Sequence, residues 1–162
     1  MKNLIIIRHA KSSWKFNLND HERPLKSRGV TDANLVSKQL ALTLKTVDLV
    51  VCSDAQRTKL TSEIFISNLG IGESLVKFIP ELYDFSGENL VRVIKSVKNS
   101  VNNLVVFGHN HAITAFVNTF GSKPIENVPT SGVVIIEFDI QNWSELKPGK
   151  TIKTIFPRDF KS

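Results

Sequence analysis

The sequence predicts an α/β fold: a three-layer α/β/α sandwich around a mostly parallel sheet, with an antiparallel element at the C-terminal end. Three observations lead there. Short runs of branched aliphatic residues alternate along the chain with longer segments whose apolar residues recur at helical spacing. Such alternation requires crossover connections, and these give a parallel sheet covered on both faces. The last two apolar runs, "GVVIIEFDI" (132–140) and "KTIKTIF" (150–156), are joined by the short "QNWSELKPG" and therefore suit an antiparallel pair.

Residues 3–8 read as the first strand, an apolar run that ends directly in Arg8 and His9. Val30 to Leu44 reads as a helix, with Leu35, Leu40, Leu42 and Leu44 among its apolar positions and Thr31 or Asp32 near its start. "VDLVVC" (47–52) is the second strand, and Asp54 to Leu69 the helix after it, ended by the glycines of "NLGIG". "SLVKFI" (74–79) is a weaker third strand. Glu88 to Val97 is helical, with Leu90, Val91, Ile94 and Val97 on one face. "NLVVFG" (103–108) is the fourth strand and Ala112 to Phe120 a short helix. No repeat, linker or low-complexity tract interrupts the series, so residues 1–162 are expected to form a single domain.

Composition narrows the function. Lys and Arg number 21 against 15 Asp and Glu, a net charge of +6, which suits an anionic substrate or partner. The cations are scattered, without a basic stripe interleaved with aromatics or a zinc-finger spacing, so nucleic acid is not the expected partner. No apolar run approaches the roughly 20 residues that span a bilayer. The apolar patch of "MKNLIIIRHA" is too short for a secretory leader, and a cytoplasmic protein is expected. A single cysteine, Cys52, excludes an internal disulfide and reads as a small buried residue at a strand end.

Ligands of such sheets collect at the carboxyl ends of the strands. The first strand ends in Arg8 and His9, and the second leads to Ser53, Asp54 and, one helical turn on, Arg57. The third leads to Glu81 and Asp84, the fourth to Gly108, His109, Asn110 and His111. Two arginines and two histidines at one edge suit an anion with several oxygens. Planar guanidinium forks hold a phosphoryl group by paired charge-assisted bonds and stabilise it during transfer. A neutral imidazole among them is a competent nucleophile near pH 7, provided its other ring nitrogen is held as a donor. Lys11, Ser12 and Ser13 sit where successive N–H groups after a strand form an anion nest, although an ordinary polar loop explains them as well. Gly108 reads as a point where backbone approaches the ligand. The four histidines, at 9, 21, 109 and 111, lack metal-ligand spacing, so neither metal nor cofactor is expected.

Each feature also has a plainer reading. An Arg-His pair at a strand end serves equally as a cap or a surface ion pair, and an arginine on a helix's first turns needs no explanation. His21 reads as a solvated loop residue, His111 as either a wall of the site or a helix-terminal contact, and Trp14 and Phe16 as packing that anchors a loop. Order and strand-end placement together favour one site built from Arg8, His9, Arg57 and His109.

The motifs that carry these residues resemble the histidine phosphatase superfamily, phosphoglycerate mutase-like in fold, over nearly the whole chain and in order. "LIIIRHAKSSW" is similar to its Arg-His-Gly signature in the "RHAKS" form of SixA-type phosphohistidine phosphatases. "ERPLKSRG" (22–29), "VVCSDAQRTKLTSEI" (50–64), "IPELYDFSGENL" (79–90), "VVFGHNHAI" (105–113) and the closing "W…L.PG…F.PRDF" resemble its later segments. The resemblance implies that His9 is phosphorylated during turnover, that Arg8, Arg57 and His109 complete the phosphate pocket, and that Glu81 lies where a general acid is often placed, with Asp84 or water as alternatives. Ala10 replaces the signature glycine, and His111 stands where proline is frequent. No long insertion supplies the lid of the superfamily's mutases, so an open pocket is expected. The implied activity is a metal-independent phosphatase acting on phosphohistidine in a signalling or phosphocarrier protein. A small-molecule phosphomonoesterase and a phosphate-binding module without turnover are the alternatives.

Overall fold

The unbroken apolar run of the first strand has its reason in the sheet. In the computed structural model, which describes residues 1–161, β1 (Lys2–Arg8) lies inside a six-stranded sheet and is covered on both faces. Leu4 and Ile6 face one hydrophobic layer, Ile5 and Ile7 the other, and all four are fully buried. β4 (Asn103–Gly108) repeats the arrangement, with Leu104 and Val106 on one side and Val105 and Phe107 on the other. A strand buried on both faces has no polar side, and its sequence loses the alternation of a half-exposed strand.

β2 (Leu49–Cys52), β3 (Val76–Phe78), β5 (Val133–Phe138) and β6 (Lys150–Ile155) complete the sheet in the order β3-β2-β4-β1-β5-β6. The first four strands run parallel. β5 is antiparallel to β1 and β6 antiparallel to β5, as the short connection between the last two strands implied. α1 (Ser27–Ala41) and α2 (Gln56–Leu69) cover one face, burying Ala33, Val36, Leu40 and Phe65 against Ile5 and Ile7. α3 (Glu88–Lys95) and α4 (Ala112–Phe120) cover the other with Leu90, Ile94, Ile113 and Phe116. The three-layer sandwich is therefore present. Among the described residues no helix is long and apolar enough to cross a membrane.

Helix boundaries depart from expectation where tertiary contact decides them. α2 ends at Leu69 as expected, and Gly70 after it, with a φ of 68°, makes the left-handed cap that glycine adopts without strain. α1 starts three residues before Val30, because its first turn is set against the loop after β1. The Lys26 N–H donates to the Lys11 carbonyl at 2.9 Å, and a side-chain carbon on Gly29 would lie far inside contact distance of that same carbonyl. Only glycine fits there. At the other end Leu42 has left the helix and is exposed. Cys52 is buried at the end of β2, its Sγ–H donating to the Ser53 carbonyl at 3.2 Å.

Candidate active site

Strand register brings the two expected histidines together. β1 and β4 are parallel neighbours with Ile7 opposite Phe107 and Arg8 opposite Gly108, so His9 and His109 leave the sheet at the same height. The His9 N–H donates to the Gly108 carbonyl at 3.1 Å, and the two imidazole centroids are 5.3 Å apart. β2 flanks β4 on the other side with Cys52 opposite Phe107, which delivers Ser53 to His109. Ser53 Oγ lies 2.8 Å from His109 Nε2 and accepts from the Ala55 N–H at 3.3 Å. The backbone just past His9 is tied to α2, since the Ala10 N–H donates to Thr61 Oγ1 at 2.9 Å while that hydroxyl donates to the Arg57 carbonyl. A side-chain carbon on Gly108 would meet only Ile113, at ordinary contact distance, so packing within the protein does not require glycine here.

His9 is oriented by its own chain. Its Nδ1 is 2.7 Å from the Ala10 carbonyl, which only accepts, so the proton sits on Nδ1 and the Nε2 lone pair is free. Burial lowers the His9 pKa to about 3; the Ala10 bond works against this, and the charges of Arg57, Arg8 and Arg23 add to it. His109 is lowered to about 2, again first by burial and then by His9 and Arg57. Both rings are neutral at pH 7. Ser53 Oγ has a second lone pair besides the one that takes the Ala55 N–H, so it pairs with His109 Nε2 in either tautomer of that ring.

The cations around the pair are only partly satisfied. Arg8 donates from Nη1 to the Val128 carbonyl at 2.8 Å, and its pKa is lowered by burial and by Arg57. Arg57, at the first turn of α2 and 2% exposed, donates from Nη1 to the Asp20 carbonyl at 2.7 Å and from Nη2 to the Asp20 carboxylate at 3.0 Å. Arg8 Nε, Arg57 Nε and His109 Nδ1 are buried and have no hydrogen-bond partner among the described residues. Ser131 Oγ shares that condition. Its backbone N–H is shared between the Arg8 and His9 carbonyls, at a left-handed turn (φ 61°) leading into β5. Leaving buried donors unmatched costs about 1–3 kcal/mol each. A tetrahedral oxyanion among them supplies the missing acceptors and offsets the buried positive charge.

Asp20 is the residue that sequence reasoning missed. Besides Arg57, its carboxylate accepts from Arg23 Nε and Nη2 at 3.2 and 3.1 Å and from the Tyr83 hydroxyl. Burial works to raise its pKa, yet Tyr83, Arg57 and Arg23 hold it at about 2. Arg23 is itself buried. Little in the sequence marks Asp20: it is one polar residue in "NLNDHERPL", and although Arg23 is three positions on, its partners Arg57 and Tyr83 lie 37 and 63 positions away.

The remaining expected residues are placed as follows. Glu81 is exposed, in a single 3-10 turn after β3, and makes no side-chain hydrogen bond among the described residues. Asp84 is buried and committed to α3, accepting from Ser86, Gly87 and Leu90 N–H groups at 3.2, 3.1 and 3.0 Å. Lys11 is exposed, and Ser12 Oγ accepts from Arg23 Nη1 at 2.6 Å. Instead of an open nest, the segment pairs with residues 24–26, the Ser13 N–H donating to the Pro24 carbonyl at 2.8 Å. His21 is no free loop residue: it binds Asp54 at 2.9 Å and stands edge-on to Tyr83. His111 is exposed at the N-terminus of α4 without a side-chain capping bond. Trp14 and Phe16, expected to anchor the loop by packing, are 72% and 54% exposed. No group of three His, Cys, Asp or Glu among the described residues is arranged to hold a metal ion.

Comparison with known proteins agrees with this geometry. The family model of the histidine phosphatase superfamily (branch 1) matches residues 4–90. An uncharacterised Mycobacterium tuberculosis protein is 29% identical over 153 residues, covering 88% of this chain and 93% of its own. A chloroplastic Arabidopsis thaliana protein, also uncharacterised, is 28% identical over 153 residues, covering 89% of this chain and 70% of its own. Among solved structures, the protein histidine phosphatase SixA complexed with tungstate superposes with a TM-score of 0.83 at 20% identity, covering 98% of this chain and 99% of that one. At that identity the likeness is one of fold.

Proposed function

The chain belongs to branch 1 of the histidine phosphatase superfamily and has the fold of its SixA-type members, and from that footing we propose that it is a cytoplasmic phosphatase that hydrolyses phosphohistidine on a protein through a phosphorylated His9. The reading rests on one observation: His9 Nε2 is free at an edge where the donors Arg8 Nε and Arg57 Nε, and the ring nitrogen His109 Nδ1, are buried without a hydrogen-bond partner among the described residues.

In the first step the Nε2 lone pair of neutral His9 forms a bond to phosphorus as the bond to the leaving group breaks. Arg8, Arg57 and His109 receive the charge on the equatorial oxygens. The dianion also favours an imidazolium at His109, because an adjacent negative charge raises a histidine's pKa. A phosphoimidazole leaving group takes one proton from solvent on the ring nitrogen not bound to phosphorus, and departs as neutral imidazole when the P–N bond breaks. In the second step water attacks the phosphorus of phospho-His9, releasing phosphate and restoring the Nε2 lone pair.

The carboxylates support this substrate class. Alkoxide departure needs a held general acid. Asp84 is committed to α3, Asp20 is ionised between two arginines, and Glu81 is exposed and unheld. Phosphohistidine makes the least demand on such a site, while Glu81 remains available to esters. The single buried thiol, Cys52, fits a reducing compartment.

The test is rapid-quench turnover of a radiolabelled histidine-phosphorylated protein beside a panel of small phosphoesters. Acid-labile, alkali-stable label should pass through His9, and the phosphoprotein should be preferred. His9→Ala should retain less than about a hundredth of the activity while still binding phosphate. Higher residual activity, or a preference for a small ester, overturns the nucleophile or the substrate class respectively.

A further inference from the structure

We infer that the rim of this site, built by residues 11–18, residues 24–28 and Phe85, is a docking surface for an acidic protein that carries the phosphoryl group. The inference rests on the phosphatase reading and adds to it where the partner is held.

Three large apolar side chains fall within five residues of this loop: Trp14, Phe16 and Leu18, at 72%, 54% and 44% exposure. Phe85, 44% exposed, is a further apolar side chain at the site, on the loop after β3 and against His109. Single exposed apolar residues are ordinary, but a cluster beside a functional pocket marks an interaction site. Two of these rings are fixed to the site itself. The Arg23 guanidinium lies 3.5 Å from the centroid of Trp14, and Arg23 is held by Asp20 and Ser12. Phe85 packs on His109 and Tyr83 with centroids 5.3 and 5.1 Å apart. Rings ordered before a partner arrives lose little further freedom on binding.

The charge around them is one-sided. The antiparallel pairing of residues 11–13 with 24–26 sets Lys11 beside Lys26, while Lys15 follows farther along the loop and Arg28 lies in the first turn of α1. All four are exposed, and none forms an ion pair among the described residues. The nearby acids Asp20 and Asp54 are taken by arginines and His21, which leaves Glu22 as the exposed acid of the segment. A small phosphoester has no extended face with which to engage this rim. Aromatic anchors within a cationic ring suit a protein face that is acidic around its phosphorylated side chain. Nucleic acid fits less well, because its internal phosphodiesters offer no terminal phosphoryl group to the pocket floor.

Two double variants test the surface: Phe16→Ser with Leu18→Ser, and Lys15→Glu with Arg28→Glu. The probes are a small acidic protein phosphorylated on histidine and p-nitrophenyl phosphate. Each variant should lose at least ~tenfold in kcat/KM for the phosphoprotein and stay within about twofold for p-nitrophenyl phosphate. The wild-type rate on the phosphoprotein should fall as salt rises from about 0.05 to 0.5 M, and the charge variant should show a flatter dependence. Equal kcat/KM for the phosphoprotein in all forms, or equal losses on both substrates, overturns the docking surface. Competition by a single-stranded oligonucleotide at micromolar concentration overturns it in favour of nucleic acid. If wild type turns over neither substrate, the phosphatase reading fails by itself. Calorimetric binding of the intact phosphoprotein to wild type and variants then decides the docking surface separately.

Discussion

Arg57 gives both terminal nitrogens to Asp20, one to its backbone carbonyl and one to its carboxylate, before any substrate arrives. The guanidinium is thereby fixed in plane, with its Nε edge left over. The carboxylate that fixes it also sets a negative charge beside an anion site, and that charge is felt at His109. Orientation is gained at the expense of ground-state attraction. Catalysis rewards such an exchange, since only contacts stronger in the transition state raise kcat.

Asp20→Asn keeps the shape and removes the charge. It should lower kcat by about tenfold, or about 1.4 kcal/mol, while inhibition by vanadate stays equal or tightens. Steady-state kinetics with vanadate as competitor read both. Weaker vanadate binding together with a lower melting temperature would mean that Asp20 only supports the fold.

Glu81→Gln should slow alkyl phosphates and leave phosphohistidine and p-nitrophenyl phosphate within about twofold, because only alkoxide departure needs a proton donor. The alkyl loss should be nearer tenfold than the roughly 10²–10⁴ of a held acid, since Glu81 is exposed and unheld. Uniform slowing of every substrate would remove Glu81 from the chemistry.

Stability should decline on acidification earlier than carboxylate titration alone would give. Unfolded histidines protonate near pH 6.5, whereas burial holds His9 to about 3 and His109 to about 2 in the folded protein. Between those limits the unfolded chain binds more protons, so stability falls as pH falls from about 6.5 toward 3. Asp20, held at about 2, adds a loss only at lower pH, between its unfolded value of 3.8 and 2. Urea midpoints at pH 7, 5 and 4 should follow this course, and His109→Gln should flatten it. An unchanged slope in that variant would exclude His109 as a source.

Gly29→Ala should cost about 1–3 kcal/mol, the usual range for overpacking, and lower activity as well, because the displaced group is the backbone two residues past His9. Gly108→Ala is the control: its new carbon meets Ile113 at 3.6 Å, an ordinary contact, and should be tolerated. Denaturation and turnover of the two variants give the comparison.

How legible these features were depended on how local their causes are. β4 and α4 fall at their expected bounds, since burial on both faces writes an unbroken apolar run and a helical face writes a period. His9 and His109 were found because strand ends are visible and parallel register does the rest. α1 was placed three residues late because its start depends on Gly29 meeting Lys11, a contact between segments. Asp20 and Tyr83 were missed for the same reason, and Asp84 was read as an acid because capping of α3 needs the folded loop to be seen. The exposure of Trp14 ran against expectation because aromatics normally pack, and here the ring's partner is a cation.

Cys52 closes β2 a single residue before Ser53, yet burial pushes its thiol up to about 12 and keeps it protonated. Peroxide attacks thiolates, and phosphatases built on a cysteine nucleophile stop when that sulfur is oxidised. The proposed nucleophile is a ring nitrogen beside a sulfur that is shielded and uncharged, and that pair has no such off-switch. Turnover should therefore persist at peroxide concentrations that silence thiol-dependent phosphatases.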